Sequence, residues 1–199
     1  MSETTRLATI KPAAPTDFPA QDWKVSSLAE AQAILAQLRV SDTFTADHTL
    51  ICTDEVSQEH LEEAIAVRHT AFITEAKRAR TIESDEYDYA SSTHHFIALL
   101  NGAVVGTLRA YLLHEDDRDI KIGRVAVKQE LRGKHVGKHL MLLCDEWAFK
   151  AGYRSAYLHA ELGASEFYAK LGYVRQGEVF MESGAAHILM RMLPPSTGS

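Results

Sequence analysis

Residues 125–141 read VAVKQELRGKHVGKHLM: a β-branched run, a basic loop with two glycines, and the opening of an apolar-periodic stretch. A strand feeding a helix through such a loop presents unpaired N–H groups and the positive end of a helix dipole to one spot. Glycines there let the backbone close around an anion. Arg132, Lys134 and Lys138 add positive charge, so phosphate is the expected ligand. The spacing lacks the Gly-Lys-Ser/Thr ending of a Walker loop and does not match GxGxxG. Taken alone, the stretch reads equally well as a solvated strand-to-helix turn, and its surroundings have to decide.

Upstream, HHFIALL (94–100) and AVVGTLRAYLL (103–113) flank Asn101-Gly102, a strong hairpin signal that makes them antiparallel neighbours. An acidic turn, HEDDRD (114–119), leads into the strand IKIGRVAV (120–127) and so into the loop. Downstream come a helix over 136–152 ended by Gly152, a strand SAYLHA (155–160), and a short helix ASEFYAKLG (164–172). A hairpin over 174–193 turns near Ser183-Gly184. Nearer the N-terminus, TLICT (49–53) suits a strand and SQEHLEEAIAVRHTAFI (57–73) an amphipathic helix capped by Ser57. TEAKRARTIESDEYDYASST (74–93) is too polar and aperiodic for the core and is assigned to a long functional loop. Residues 1–25, with Pro12, Pro15 and Pro19, read as a loose leader, followed by a short helix over 28–40. The fold class is α+β: a central mixed, mostly antiparallel sheet flanked by helices.

A chain of 199 residues that is 46% apolar can bury one sizeable core. We therefore divide it into an N-terminal extension, 1–45, and one main domain, 46–199. Its formal charge of −6 argues against a nucleic-acid partner, since phosphate-backbone binders carry a clustered basic surplus. Cys52 and Cys144 lack metal or disulfide-framework spacing and read as buried thiols of a reducing compartment. His94-His95 has no companion at metal-ligand spacing, so no metal is expected. No apolar run reaches the roughly 18 residues of a membrane span, and the first residues lack a signal-peptide core. A cytoplasmic protein without a membrane partner is expected, and a homodimer is compatible with this reading.

The run Arg132-Gly133-Lys134-His135-Val136-Gly137 resembles the Arg/Gln-x-x-Gly-x-Gly/Ala pyrophosphate loop of the GNAT acyltransferase superfamily. SEFYAKLGY (165–173) is similar to its Phe-Tyr-x-x-x-Gly-Phe/Tyr segment. The likeness covers about residues 49–193. Within the superfamily, RHTAFITE, ESDEYD followed by His95, IGRVAV and MESGAAHILM look like the ElaA/YjcF branch. The resemblance implies the GNAT fold, acetyl-CoA as co-substrate without a metal, and transfer of acetyl to a primary amine. Small amines, polyamines, amino sugars and protein amino groups all stay open as acceptors. Three positions depart from the pattern. His135 replaces the central loop glycine, and its ring either donates to phosphate or points to solvent. Lys121 stands where histone-type members carry a catalytic glutamate. Glu161 replaces a commonly amide-bearing residue near the pantetheine arm. These departures keep an alternative in view, a CoA-binding sensor without efficient turnover.

An amine with a pKa near lysine's, about 10.4, must lose a proton before attacking a thioester, so a base is required. The carbonyl oxygen gains negative charge during attack, and main-chain N–H groups on a splayed strand can stabilise it. The resemblance places these at Val125, Ala126 and Val127. It assigns cofactor binding to the loop Arg132, Gly133, Lys134, His135, Val136, Gly137 and Lys138. It also makes Tyr168 the donor to the departing thiolate, although a Phe-Tyr pair in a short helix otherwise reads as core packing. Candidates for the base are Glu83, Asp85 and Asp88 on the acidic loop and His95 and His187 in the branch-like motifs. Glu83, Asp85, Glu86 and Asp88 fall within six residues and are expected either to attract a cationic acceptor or to form a solvated surface.

Overall fold

The computed structural model describes residues 8–10, 50–76, 83–114 and 118–194. Its strands are β1 (Ala8–Ile10), β2 (Leu50–Thr53), β3 (His94–Leu100), β4 (Ala103–Tyr111), β5 (Asp119–Val127), β6 (Ser155–Glu161), β7 (Val174–Glu182) and β8 (Ala185–Met192). Its α-helices are α1 (Gln58–His69), α2 (Val136–Lys150) and α3 (Ser165–Ala169). The strands form one sheet in the order β1-β2-β3-β4-β5-β6-β8-β7. β5 and β6 run parallel, and the other neighbours are antiparallel. This is the expected α+β GNAT fold.

Local chemistry explains the tight turns. Asn101 and Gly102 adopt φ 53° and 81°, and Ser183 and Gly184 φ 50° and 81°, the left-handed pair that a two-residue hairpin needs. Ser57 accepts the His60 N–H at 3.1 Å and starts α1. The sequence predicts α-helix through 73, yet α1 ends at His69 and continues as the π-helical turn Thr70–Glu75. The Thr70 hydroxyl donates back to the Ala66 carbonyl at 3.1 Å, a bond that competes with the regular ladder at this point. The widened turn brings Phe72 to the lining of a cleft.

Each face of the sheet carries its own core. On one, Phe96, Leu108, Ile120, Ile122, Ala156 and Met190 pack with Leu140, Met141 and Cys144 of α2. Leu140 is fully buried, so truncating it to alanine would cost about 2–5 kcal/mol. On the other, Ala64 and Val67 of α1 pack with Ile97, Val104 and Ala126. Gly106 on β4 sets the fit of α2, because a Cβ there would come within 3.0 Å of Val136 and 3.1 Å of Leu140. Its missing side chain seats the first turn of α2 close to the sheet, and with it the basic loop.

One expectation needs correction. Ala8–Ile10, read as part of a loose leader, is a strand, with Ala8 opposite Cys52 and Ile10 opposite Leu50. β2 would otherwise present an unpaired edge, and Thr9 and Ile10 are β-branched. The helix expected over 28–40 lies outside the described residues.

Candidate active site

β5 and β6 pair only at Asp119/Ser155, Ile120/Ala156 and Lys121/Tyr157. Beyond Lys121, β5 keeps its ladder to β4 and β6 its ladder to β8, so two strand edges face each other across a gap. Backbone groups on such edges have no partner within the sheet. Arg124 marks the parting, with φ 56° and a register skip in β4–β5 between Thr107 and Arg109. A bulge of this kind re-aims the strand beside a site. A cleft of about 270 Å³ opens here, walled by Gly123, Arg124 and Val125 of β5 and by Leu158, His159 and Glu161 of β6. Tyr168 borders it too. Burial pushes the Tyr168 phenol up, so it holds its proton at neutral pH.

The basic loop follows directly from β5. Gly133 and His135 take φ 76° and 64°, and His135 precedes α2 without a side-chain capping bond. The three residues Val136, Gly137 and Lys138 begin the helix, whose first N–H groups have no intrahelical partner. Val136 and Ala126 are buried in the two cores, so they can offer a ligand only backbone. Arg132 donates from Nε to the Val127 carbonyl at 3.0 Å, and its guanidinium pairs with Glu75. The His135 side chain is exposed. A Cβ at Gly133 would meet nothing within 4 Å, which leaves an open backbone cradle. Together with the parted strand edges, this fits an extended thioester arm ending in a diphosphate.

The acidic loop differs from both expectations for it. Glu83 and Asp88 are 4% and 3% exposed, which excludes a solvated surface. Arg68 of α1 grips Asp88 in a bidentate pair at 2.7 and 2.9 Å and donates to the Glu83 carbonyl at 2.6 Å. Arg109 of β4 reaches Asp88 at 2.6 Å and holds Asp85 bidentately at 2.6 and 2.8 Å. Arg124 closes the set, 2.5 Å from Glu83 and 3.2 Å from Asp85. Burial works to raise the Asp88 carboxyl, but hydrogen bonds and charge from Arg68 and Arg109 outweigh it and hold it well below the usual carboxylate range. Burial works to raise the Asp85 carboxyl too, but hydrogen bonding and charge from Arg109 prevail and leave it lowered. Glu83 and Asp85 line the cleft, yet carboxylates whose charge is matched by guanidinium groups are weak lures for a cation, and the lowered Asp85 is a poor proton acceptor.

The histidines divide. His95 Nε2 lies 3.0 Å from the Asp88 carbonyl and its Nδ1 is buried without a partner. Its ring supports the acidic loop and does not line the cleft. Burial lowers its proton affinity. His187 does line the cleft, with Nδ1 2.9 Å from the Ala185 carbonyl. A carbonyl only accepts, so Nδ1 carries a hydrogen, and in a neutral ring the lone pair is on Nε2. His159 was missed in the sequence. Its Nδ1 is 3.0 Å from Glu182 Oε2 and both side chains line the cleft, so a carboxylate orients a base in the manner of a catalytic pair. Burial acts to raise the Glu182 carboxyl, but the bond from His159 prevails and lowers it. The available signal was alternation: Tyr157, His159 and Glu161 project polar groups from one face of SAYLHAE. Lys121 lines the same cleft, 5.9 Å from the Tyr111 ring.

Among the described residues, no cluster of three His, Cys, Asp or Glu is placed to hold a metal ion, and no helix is long and apolar enough to cross a membrane. The acetyltransferase (GNAT) family signature matches residues 55–173. The protein YyaT of Bacillus subtilis is 30% identical over 135 residues, which span 67% of this chain and 89% of that protein. The crystal structure of Escherichia coli ElaA superposes with a TM-score of 0.63 at 28% identity, covering 69% of this chain and 92% of that one. A Pseudomonas aeruginosa acyl-CoA N-acyltransferase structure gives 0.63 at 27%, covering 71% and 97%. The chain belongs to the GNAT family of acyltransferases, which use acyl-CoA co-substrates, and within it to the ElaA-like branch.

Proposed function

We propose that the protein transfers an acetyl group from acetyl-CoA to a primary amine by direct attack. The observation that carries this reading is the parting of β5 from β6 beyond Lys121 and Tyr157, immediately before the cradle at Arg132–Lys138. Acetyl-CoA brings an acyl group already activated as a thioester. The backbone from Gly133 to Lys138 would bind its diphosphate, with the dipole of α2 and the charges of Arg132, Lys134 and Lys138 in support. Arg132 would exchange its pairing with Glu75 for that anion. Main-chain groups of Val125, Ala126 and Val127 on the opened edge would orient the thioester and stabilise charge on its oxygen.

Proton movement falls to three side chains. His159, oriented by Glu182, offers Nε2 to take the amine proton, and His187 is the second imidazole able to do so. Tyr168 borders the cleft with its hydroxyl protonated and would give that proton to the leaving sulfur. The decisive experiment incubates the pure protein with acetyl-CoA and a broad amine library, following thiol release and the mass of the products. An acetylated amine at catalytic turnover is expected. Tight CoA binding without transfer to any amine would instead identify a CoA sensor. Comparing His159→Gln with His187→Gln then assigns the base, as the variant that loses the ascending limb of the pH–rate profile.

A further inference from the structure

Three cationic side chains of lysine or arginine line the cleft: Arg109, Lys121 and Arg124. The two arginines are matched by Asp85, Asp88 and Glu83. Lys121 differs. It stands at the last paired position of β5, between Tyr111 on β4 and Tyr157 on β6. Among the described residues its ammonium takes part in no side-chain hydrogen bond or ion pair, and it lies 5.9 Å from the centre of the Tyr111 ring. An ammonium half-withdrawn from water and aimed into a cavity is favourable only when an anion meets it there. Burial already lowers its proton affinity, against the favouring charge of Glu182. Glu182 itself is bonded to His159.

The sheet geometry brings that cation and the candidate base to one small molecule. Lys121 pairs with Tyr157, and His159 projects from the same face two residues further along β6. One strand spacing of about 4.8 Å combined with two residues of rise, about 6.6 Å, sets their backbones at least about 8 Å apart, since the strands part beyond this pair. A flexible lysine stem and an imidazole can close that interval around adjacent amine and carboxylate groups. We propose that Lys121 anchors the carboxylate of the acceptor, and that the acceptor is an amino acid, bound as a zwitterion with its amine against His159 and Glu182. The inference rests on the acyltransferase reading and reverses the cationic acceptor expected from the acidic loop, whose charge the arginines neutralise. In the transfer, a C–N bond forms as the C–S bond breaks. The ammonium of the zwitterion gives up two protons, one through the histidine base to solvent before attack and one as the amide forms; the CoA sulfur gains one, and the carboxylate is unchanged.

The test pairs each amino acid with the amine obtained by removing its carboxylate, for example phenylalanine with phenethylamine and ornithine with putrescine. Acetyl transfer should favour the acid by about tenfold or more in kcat/KM for at least one pair, the worth of a charge-assisted hydrogen bond. Lys121→Met should collapse that ratio towards one through KM, and Lys121→Arg should restore part of it. A readout independent of turnover is calorimetric binding of the corresponding N-acetyl amino acid, which keeps the carboxylate. Wild-type protein should bind it, and Lys121→Met should bind it at least tenfold more weakly. Equal or better acetylation of the amines, with a ratio insensitive to Lys121, overturns the inference while leaving the transferase intact. If no acceptor turns over, the acyltransferase reading fails. Binding of N-acetyl amino acids that does not depend on Lys121 then overturns the inference as well.

Discussion

On one wall of the cleft and just behind it, Arg68, Arg109 and Arg124 meet Glu83, Asp85 and Asp88 in pairs between 2.5 and 3.7 Å. On the other, among the described residues, Lys121 has no ion pair, the Nε2 atoms of His159 and His187 have no hydrogen-bond partner, and Glu182 meets His159 through one oxygen. The two walls carry similar residue types. What separates them is valence: the first is closed on itself and holds the acidic loop against α1 and β4, while the second has donors and acceptors left for a ligand. Charge in a cleft is therefore a poor guide to substrate until its internal partners are counted.

Breaking the closed wall should produce the largest effect. Asp88→Ala leaves Arg68 and Arg109 buried without their shared carboxylate, and stability should fall by about 3–5 kcal/mol. Urea unfolding should show this as a lowered midpoint, while Lys121→Met shifts stability by less than about 1 kcal/mol. Similar losses in both variants would erase the distinction between the walls.

A buried carboxylate on α2 gives the next effect, and here the missing partner is internal. Asp145 receives the Tyr173 hydroxyl at 2.5 Å, while its Oδ2 has none. Burial, only partly opposed by Tyr173, lifts its pKa to about 7 from an ordinary 3.8. The native state thus holds a proton that the unfolded chain releases from about pH 4 upwards. The unfolded state binds fewer protons in that window, so this contribution to stability is full below about pH 4. It is lost as pH rises to about 7, a change on the order of 4 kcal/mol. Asp145→Asn should flatten the slope of stability between pH 4 and 7, and an unchanged slope would show that Asp145 ionises normally.

Tyr168→Phe tests the open wall at its far end. The ring remains and the proton is lost, so single-turnover acyl transfer should slow by about 100-fold with CoA affinity nearly unchanged. Wild-type chemistry in that variant would assign Tyr168 to packing alone. The smallest effect belongs to His135, whose left-handed backbone strains a residue with a Cβ. His135→Gly should raise stability by about 1 kcal/mol and keep CoA affinity. A large loss of affinity would make the imidazole a phosphate ligand.

The legibility of these features follows from the range of the interactions behind them. Asn101-Gly102, Ser183-Gly184, the Ser57 cap and the stop at Gly152 are local backbone requirements, and each stands where the sequence puts it. The parting of β5 and β6 is invisible in sequence, because alternation looks the same whether an edge is paired or open. The acidic loop misled for a related reason. Its partners Arg68, Arg109 and Arg124 lie on three different elements, so the burial of Glu83 and Asp88 is a tertiary fact. His159 was masked by its place in an ordinary strand pattern, and its role appears only when β7 brings Glu182 beside it.

Amide hydrogen exchange with and without CoA tests the central claim most directly. If the parted strands and the loop hold the co-substrate, the amides of Gly123–Val127 on β5 and Gly133–Lys138 at the start of α2 should slow together on CoA addition. Those of β2 and β7 should stay as they were. CoA binding that leaves both segments unchanged and slows exchange elsewhere would contradict the account.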